Sequence, residues 1–288
     1  MKGLQSALTW VAIVGIVLAA LPVLALVRLF DRTPARVRTG RTFRVMGSWA
    51  TYVNPAWHIR AGGADPAALR HPYVVVSNHQ SNADIPVISR LPWEMKWVAK
   101  RALFELPVFG WLMRLAGDVP VDRGDAESRA SVLRRARAKL DAGCSVMFFA
   151  EGTRSKDGRV KRFHDGAFRL AVEAGVPVLP LAIDGTRDAL PKHGWKFGRA
   201  DIRLAVLDPV PTDGLTEADV PALRERVRQR VVETVAGWRG ADPRSVDALE
   251  DGAAALPSAR PDAAPAGRPT VEDGAKSAHE AVRRPPRG

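Results

Sequence analysis

The sequence predicts an α/β fold: a mostly parallel sheet flanked by helices, with an N-terminal membrane-anchor helix and a disordered C-terminal tail. Three observations predict it. Short β-rich runs alternate with amphipathic helical segments through the middle of the 288-residue chain. A long stretch without charge lies near its start. From Gly240 onward the chain holds seven of its 22 prolines and no aromatic residue, so it has little to bury. Hydrophobic residues at 46% and charged ones at 26% exclude collagen-like, coiled-coil and wholly disordered chains. The length suits one targeting or membrane segment and one domain. This places the anchor in residues 1–30, the domain in 31–239 and the tail in 240–288.

The anchor rests on Ala7 to Val27, 21 consecutive uncharged residues. As a helix at about 1.5 Å per residue they reach roughly 32 Å, one bilayer core. Lys2 precedes the run, whereas Arg28, Arg32, Arg36, Arg38, Arg41 and Arg44 follow it. That asymmetry puts the rest of the chain on the cytoplasmic side of the cell (inner) membrane, with Trp10 near the far interface. Val23-Leu24-Ala25 resembles a signal-peptide cleavage site and Pro22 a helix break. The run nevertheless exceeds a usual apolar signal core of roughly 7 to 15 residues, and dense arginine follows it, which favours an anchor. A helix pair lying in one leaflet fits as well, because residues 42–53 carry Phe43, Val45, Met46, Trp49 and Tyr52.

Within the domain, Tyr73 to Ser77 (YVVVS) reads as a buried strand. Met95 to Ala99, Asp118 to Val121, Ser145 to Phe149, Val176 to Ile183 and Ile202 to Leu207 are further β-rich runs. Asp125 to Ala142 reads as a helix with Leu133, Ala136 and Leu140 on one stripe, stopped by Gly143. Gly166 to Ala174 is a second helix, ended by Gly175. Thr216 and Asp219 form a capping-box pattern before a helix that lines up Val220, Leu223, Val227, Val231, Val235 and Trp238. Ligands of such sheets normally sit beyond the C-terminal strand ends.

Lys and Arg total 43 against 31 acids, a net charge of +12. The surface therefore suits phosphates, whether of nucleic acid, anionic lipid or a phosphorylated substrate. Nucleic acid is disfavoured: the arginine-rich helix around Arg134 to Lys139 reads as a solvated face with no stacking aromatics among its cations. A single cysteine, Cys144, excludes an internal disulfide and a Cys-based zinc finger. No Gly-x-Ser-x-Gly nucleophile elbow occurs.

Chemistry-bearing residues collect at three strand ends. After YVVVS comes Asn78-His79-Gln80-Ser81-Asn82-Ala83-Asp84. On a regular helix His79 and Asp84 would diverge by about 140°. They meet only if the segment turns first, which Ser81, Asn82 and Pro86 favour. Asp84 would then accept one imidazole N–H, fix the tautomer and leave the other ring nitrogen as a base. Alone this spacing is weak, since six histidines and 20 aspartates in 288 positions give roughly 0.4 such pairs by chance. At a second strand end, Phe149-Ala150-Glu151-Gly152-Thr153-Arg154-Ser155 offers a glycine for close approach, hydroxyls and a guanidinium fork. Lys156, Arg159, Lys161 and Arg162 extend it into an anion trap. Glu151 reads as holding Arg154 or Arg123 in place. Val119-Pro120-Val121-Asp122-Arg123 supplies the third strand end.

These blocks resemble the lysophosphatidate acyltransferase family. NHQSNAD matches its NHxSxxD block, GDVPVDR its second, FAEGTRS its third and VPVLP its fourth, in the same order; Val98 to Trp111 is similar to the segment between the first two. The resemblance covers about Tyr73 to Leu207. It implies transfer of a fatty acyl group from acyl-CoA or acyl carrier protein to lysophosphatidate, forming phosphatidate, with no cofactor beyond the acyl donor and no metal. The implied partners are a lysophospholipid acceptor, the acyl donor and membrane lipids. His79 is implied as general base and Asp84 as its orienting carboxylate. Glu151, Gly152, Thr153 and Arg154, with Arg123, are implied as the glycerol-phosphate site. Ala150 stands where the family has proline. His164-Asp165 stands where a lysine-containing segment is common, which suggests a lost cation and a different acceptor, such as a lyso-aminolipid.

Overall fold

The computed structural model describes residues 2–64, 72–122 and 126–249. Its strands are β1 (Trp57–Gly63), β2 (Val74–Ser77), β3 (Met95–Lys100), β4 (Val119–Val121), β5 (Ser145–Phe149), β6 (Val178–Asp184) and β7 (Ala200–Val206). They form one sheet in the order β1-β7-β6-β2-β5-β3-β4. All neighbouring pairs run parallel except β6 and β7, so the expected mostly parallel α/β sheet is present. The sequence pattern misses β1. Only its first residue, Trp57, is buried, because this edge strand pairs with β7 alone and shows no apolar alternation.

Successive residues of β2 point to opposite faces. Val74 and Val76 join the core with Phe163, Phe168, Leu170, Val227 and Val231, whereas Val75 joins Val87, Ile88, Met95 and Trp97 on the other side. The helices are α1 (Lys2–Phe30), α2 (Val37–Ser48), α3 (Asp84–Ile88), α4 (Arg101–Glu105), α5 (Phe109–Ala116), α6 (Ala126–Asp141), α7 (Gly166–Ala174), α8 (Thr186–Ala189), α9 (Val220–Arg239) and α10 (Pro243–Val246). The Thr216–Asp219 capping box forms as expected and leads into α9.

Two segments outside the sheet are tied to the domain. Helix α1, which spans the expected anchor, packs against it along part of its length. Trp10 sits against Phe197 with ring centroids 5.0 Å apart and donates to the Trp195 carbonyl at 2.8 Å. Ser6 Oγ accepts the Phe197 N–H at 2.9 Å, and Ala20 and Leu24 share a core with Phe43, Leu112 and Met113. Elsewhere its surface stays apolar and exposed through Leu4, Leu8, Val11, Val14, Leu18 and Leu26. The helix is long and apolar enough to cross a bilayer, yet it lies along the domain with α2 packed beside it. Pro22 does not break it.

The second segment is at the C-terminus. Residues 240–249, expected as part of the tail, belong to the fold: Val246 is buried, Asp247 meets the buried Arg228 guanidinium, and Val160 makes backbone hydrogen bonds to Val246 and Ala248. These are long-range contacts, and the low-complexity neighbourhood hides them from a composition argument. The rest of the expected tail, 250–288, lies outside the described residues.

A buried ionic cluster fastens the start of α2 to β3. Lys96 Nζ donates to Glu94 Oε1 at 2.7 Å, to the Ala116 carbonyl at 2.8 Å and to the Arg36 carbonyl at 3.0 Å. Arg44 pairs with Asp118 beside them. Burial raises the Glu94 carboxyl above its ordinary range despite the attraction of Arg44 and Lys96.

Candidate active site

Strand β2 lies between β5 and β6, and the chain leaves its C-terminal end as Asn78-His79. Asn78 pins this exit to β6: its Nδ2 donates to the Ile183 carbonyl at 2.8 Å and its Oδ1 accepts the Ile183 N–H at 3.0 Å. A turn at residues 82–83 then reverses the chain into α3, whose first residue is Asp84. The turn brings the carboxylate back to the imidazole, and His79 Nδ1 lies 2.6 Å from Asp84 Oδ2.

Asp84 is fully buried. Its Oδ2 also accepts the backbone N–H groups of Gln80 at 2.8 Å and Ser81 at 3.0 Å, and its Oδ1 accepts the Thr186 hydroxyl. An oxygen receiving two backbone donors acts as a carboxylate acceptor, which assigns the proton of the His79–Asp84 bond to Nδ1. Nε2 keeps its lone pair. The His79 side chain is 14% exposed. Phe149 stacks on the ring with centroids 3.7 Å apart and planes 13° from parallel.

The loop after β5 is tied to the His79 loop through backbone atoms. Ser155 N–H donates to the His79 carbonyl at 2.7 Å, and Glu151 Oε1 accepts the His79 N–H at 3.1 Å. Glu151 therefore does not hold Arg154, as its place in the sequence suggests. It is buried beneath His79, its Oε2 has no partner among the described residues, and burial lifts its carboxyl to about 8. Gly152 supplies the positive φ of 71° that turns the loop at this point.

Arg154 is half-buried, and its guanidinium makes no hydrogen bond among the described residues. Lys192 Nζ reaches the Arg154 carbonyl at 3.3 Å, and Lys161 Nζ donates to Thr153 Oγ1 at 2.6 Å. The Lys192 ammonium is lowered by desolvation and then by Arg154, Lys156, Lys161 and Lys100. Cations crowd here without matching carboxylates, which is the electrostatic form of an anion site. The sequence places Lys192 and Lys100 far from this loop, and nothing local marks them. Arg123 lies outside the described residues. Asp165 pairs with Arg224 at 2.5 Å, so it is not a bare carboxylate in the site, and Lys161 and Lys192 supply cations there. Among the described residues no group of three or more His, Cys, Asp or Glu is placed to hold a metal ion.

The family model described as Acyltransferase matches residues 58–184, from the first strand to the end of β6. Residues 58–184 are thus similar to that family of domains. Human 1-acyl-sn-glycerol-3-phosphate acyltransferase alpha is 39% identical over 178 residues, covering 60% of this chain and 62% of that one. The chloroplastic 1-acyl-sn-glycerol-3-phosphate acyltransferase BAT2 of Brassica napus is 38% identical over 165 residues, 57% of this chain and 46% of that one. The chain thus spans about half to three fifths of the length of these relatives. The crystal structure of the 1-acyl-sn-glycerophosphate (LPA) acyltransferase PlsC from Thermotoga maritima superposes with a TM-score of 0.65 at 27% identity, covering 82% of this chain and 98% of that one. The matched segment holds His79, Asp84 and the Arg154 loop; Thr186 and Lys192 contribute to the same site from just beyond it.

Proposed function

We propose that this chain transfers a fatty acyl group from the thioester of acyl-CoA or acyl carrier protein to the free hydroxyl of 1-acyl-glycerol-3-phosphate, producing phosphatidate for phospholipid synthesis. The observation that carries this reading is the His79–Asp84 pair at 2.6 Å, joined through the His79 backbone to a loop bearing Arg154, whose guanidinium has no partner among the described residues. A thioester needs no covalent enzyme intermediate. His79 Nε2 takes the proton from the acceptor hydroxyl as its oxygen attacks the thioester carbon. Asp84 stabilises the resulting imidazolium. The tetrahedral intermediate collapses with cleavage of the carbon–sulfur bond, and the proton on Nε2 passes to the departing thiolate. Arg154, with Lys161 and Lys192 nearby, holds the acceptor phosphate so that its hydroxyl lies at the imidazole, the kind of positioning that supplies much of a barrier reduction.

The same reading puts the work at a membrane. The exposed apolar side chains of α1 face lipid, and the arginines after it favour the cytoplasmic face of the inner membrane. A lyso-aminolipid acceptor loses its motive, because Asp165 is committed to Arg224.

A radiolabelled acyl-transfer assay on detergent-purified protein, wild type against His79→Ala, with both donor types and a panel of lysolipids, tests the proposal. His79→Ala is expected to lose about 10²- to 10⁴-fold in rate with an unchanged melting temperature. Retained activity in that variant, or no transfer to lysophosphatidate by the wild type, overturns it.

A further inference from the structure

A second cationic site lies at the other end of the sheet. Beyond the edge strand β4 is a cavity of about 540 Å³ lined by Arg36, Arg101, Arg114, Arg135 and Lys139, together with Glu105. Three strand spacings of about 4.8 Å separate β4 from β2, so this cavity is roughly 14 Å across the sheet from the strand that carries His79. It is a place distinct from the acyl-transfer site.

The charge in the cavity is unbalanced. Of the carboxylates that line it, Asp118 is committed to Arg44, and Asp122 nearby takes Arg101. Lys139 Nζ has no hydrogen-bond partner among the described residues, and its ammonium is lowered by burial and by the neighbouring Lys96 and Arg36. Arg36 is held firmly. Its backbone is left-handed at φ 54°, its guanidinium donates to the Arg114 carbonyl at 2.6 Å, and its carbonyl accepts Lys96 Nζ. Gly117 leaves the floor open: a side chain there would meet Arg36 at 3.3 Å and Lys139 at 3.5 Å. The lining cations outnumber the carboxylates around an open space, which calls for an anion with several acceptor oxygens.

The surroundings say where that anion comes from. Leu106 follows Glu105 and is 47% exposed; Trp111 lies one turn before Arg114 on α5 and is 49% exposed. Leu29 and Phe30, 75% and 69% exposed, end α1 just ahead of the segment that leads to Arg36. Large exposed apolar side chains with a tryptophan among them, next to a cluster of arginines, mark the boundary between acyl chains and headgroups. A soluble phosphate compound would give these side chains nothing to rest in.

We propose that this cavity binds the phosphate headgroup of an anionic phospholipid in the leaflet on which α1 and α2 lie, independently of the acceptor bound at His79. Such a site fixes how the domain sits on the bilayer, in addition to the apolar contact of α1.

Vesicle flotation tests it, using phosphatidylcholine vesicles with and without phosphatidylglycerol and the full chain. Arg135→Gln with Lys139→Gln removes two lining cations from one face of α6. Arg60→Gln with Arg226→Gln removes two exposed cations elsewhere and serves as the charge-matched control. The first pair is expected to weaken binding to phosphatidylglycerol vesicles about 30-fold, as two cations lying at the anionic surface would, with binding to phosphatidylcholine alone and the melting temperature unchanged. The control pair is expected to change binding by about twofold or less. Equal losses in the two pairs, or no loss in the first, overturn the site. In detergent without anionic lipid, inorganic phosphate and coenzyme A are expected not to raise the melting temperature. A rise with either compound that disappears in Arg135→Gln/Lys139→Gln assigns the cavity to a soluble phosphate and overturns the lipid assignment.

Discussion

Glu151 Oε1 receives the backbone N–H of His79 at 3.1 Å, from a position where water does not reach. Ser155 holds the other side of the same residue, donating its N–H to the His79 carbonyl. The loop that carries the anion-binding arginine and the loop that carries the imidazole are therefore tied together, and the distance between the two functions is set by these two hydrogen bonds to the His79 backbone.

The burial of Glu151 gives the first prediction. Its carboxyl rises from 4.5 to about 8, chiefly by desolvation. A group raised in this way is protonated in the folded chain while the unfolded chain has already released its proton. Its contribution to stability is full below pH 4.5, falls as pH rises, and is gone above about pH 8. The full swing is on the order of 5 kcal/mol. Glu151→Gln cannot ionise, so the difference in stability between variant and wild type should move in favour of the variant across this window and be flat on either side. Urea unfolding of both proteins at a series of pH values reads the difference; parallel profiles would show that Glu151 ionises as an exposed carboxyl does.

Arg154 and Lys192 give a second. Arg154 has no counter-ion among the described residues, and Lys192 sits over its carbonyl. If they hold the acceptor phosphate in both ground and transition states, their loss raises KM more than it lowers kcat. Arg154→Ala is expected to raise KM for lysophosphatidate about 10- to 100-fold, the value of one or two charge-assisted hydrogen bonds. Lys192→Ala is expected to raise it by less, and KM for the acyl donor is expected to stay put. Steady-state kinetics with each substrate varied in turn decides the matter, and an equal effect on both KM values would place these cations at the donor instead.

A third concerns the buried ions behind α2. Lys96 is fully buried and makes three hydrogen bonds, one of them to Glu94. Lys96→Met keeps the volume and takes away the hydrogen-bond partner of Glu94, leaving Arg44 as a neighbouring cation, and breaking a buried pair in this way typically costs about 3–5 kcal/mol. Lys96→Met with Glu94→Gln should recover part of that loss, because no uncompensated charge remains. Thermal melts of the two variants test it, and equal losses in both would mean that Lys96 acts through its hydrogen bonds to the Ala116 and Arg36 carbonyls alone.

Much of this was legible in the chain because local chemistry and global position agree. YVVVS has the β-branched composition of a strand buried on both faces, and NHQSNAD has the turn residues that let His79 and Asp84 meet. The Thr216–Asp219 box announces α9 for the same reason. What stayed hidden depends on contacts between distant residues. β1 is an edge strand with almost nothing buried. Lys100 and Lys192 join the Arg154 loop only through the sheet, and the side chain of Glu151 points under the loop rather than along it, which no spacing encodes. Val246 and Asp247 each matter through one long-range partner, and composition averages them away.

Thr186 is the residue that spacing alone would not select, and it carries the last prediction. It opens α8 directly after Gly185, is fully buried, and donates its hydroxyl to Asp84 Oδ1. The other carboxylate oxygen already serves His79, Gln80 and Ser81, so Thr186 is the side chain that fixes the rotation of the carboxyl group. It touches no substrate and acts as a positioning residue. Thr186→Val preserves shape and leaves Oδ1 buried without its donor. A hydrogen bond to a charged group is worth about 1.5–3 kcal/mol, and the vacated oxygen is free to seek water, turning the plane that His79 Nδ1 needs. We expect kcat to fall about 10- to 100-fold with KM for lysophosphatidate little changed, and Thr186→Ser to restore most of it. A merely structural role would lower the melting temperature of Thr186→Val and leave kcat of the folded fraction intact. Active-site titration alongside the melting curve separates the two, and an unchanged kcat per folded molecule would remove Thr186 from the catalytic machinery.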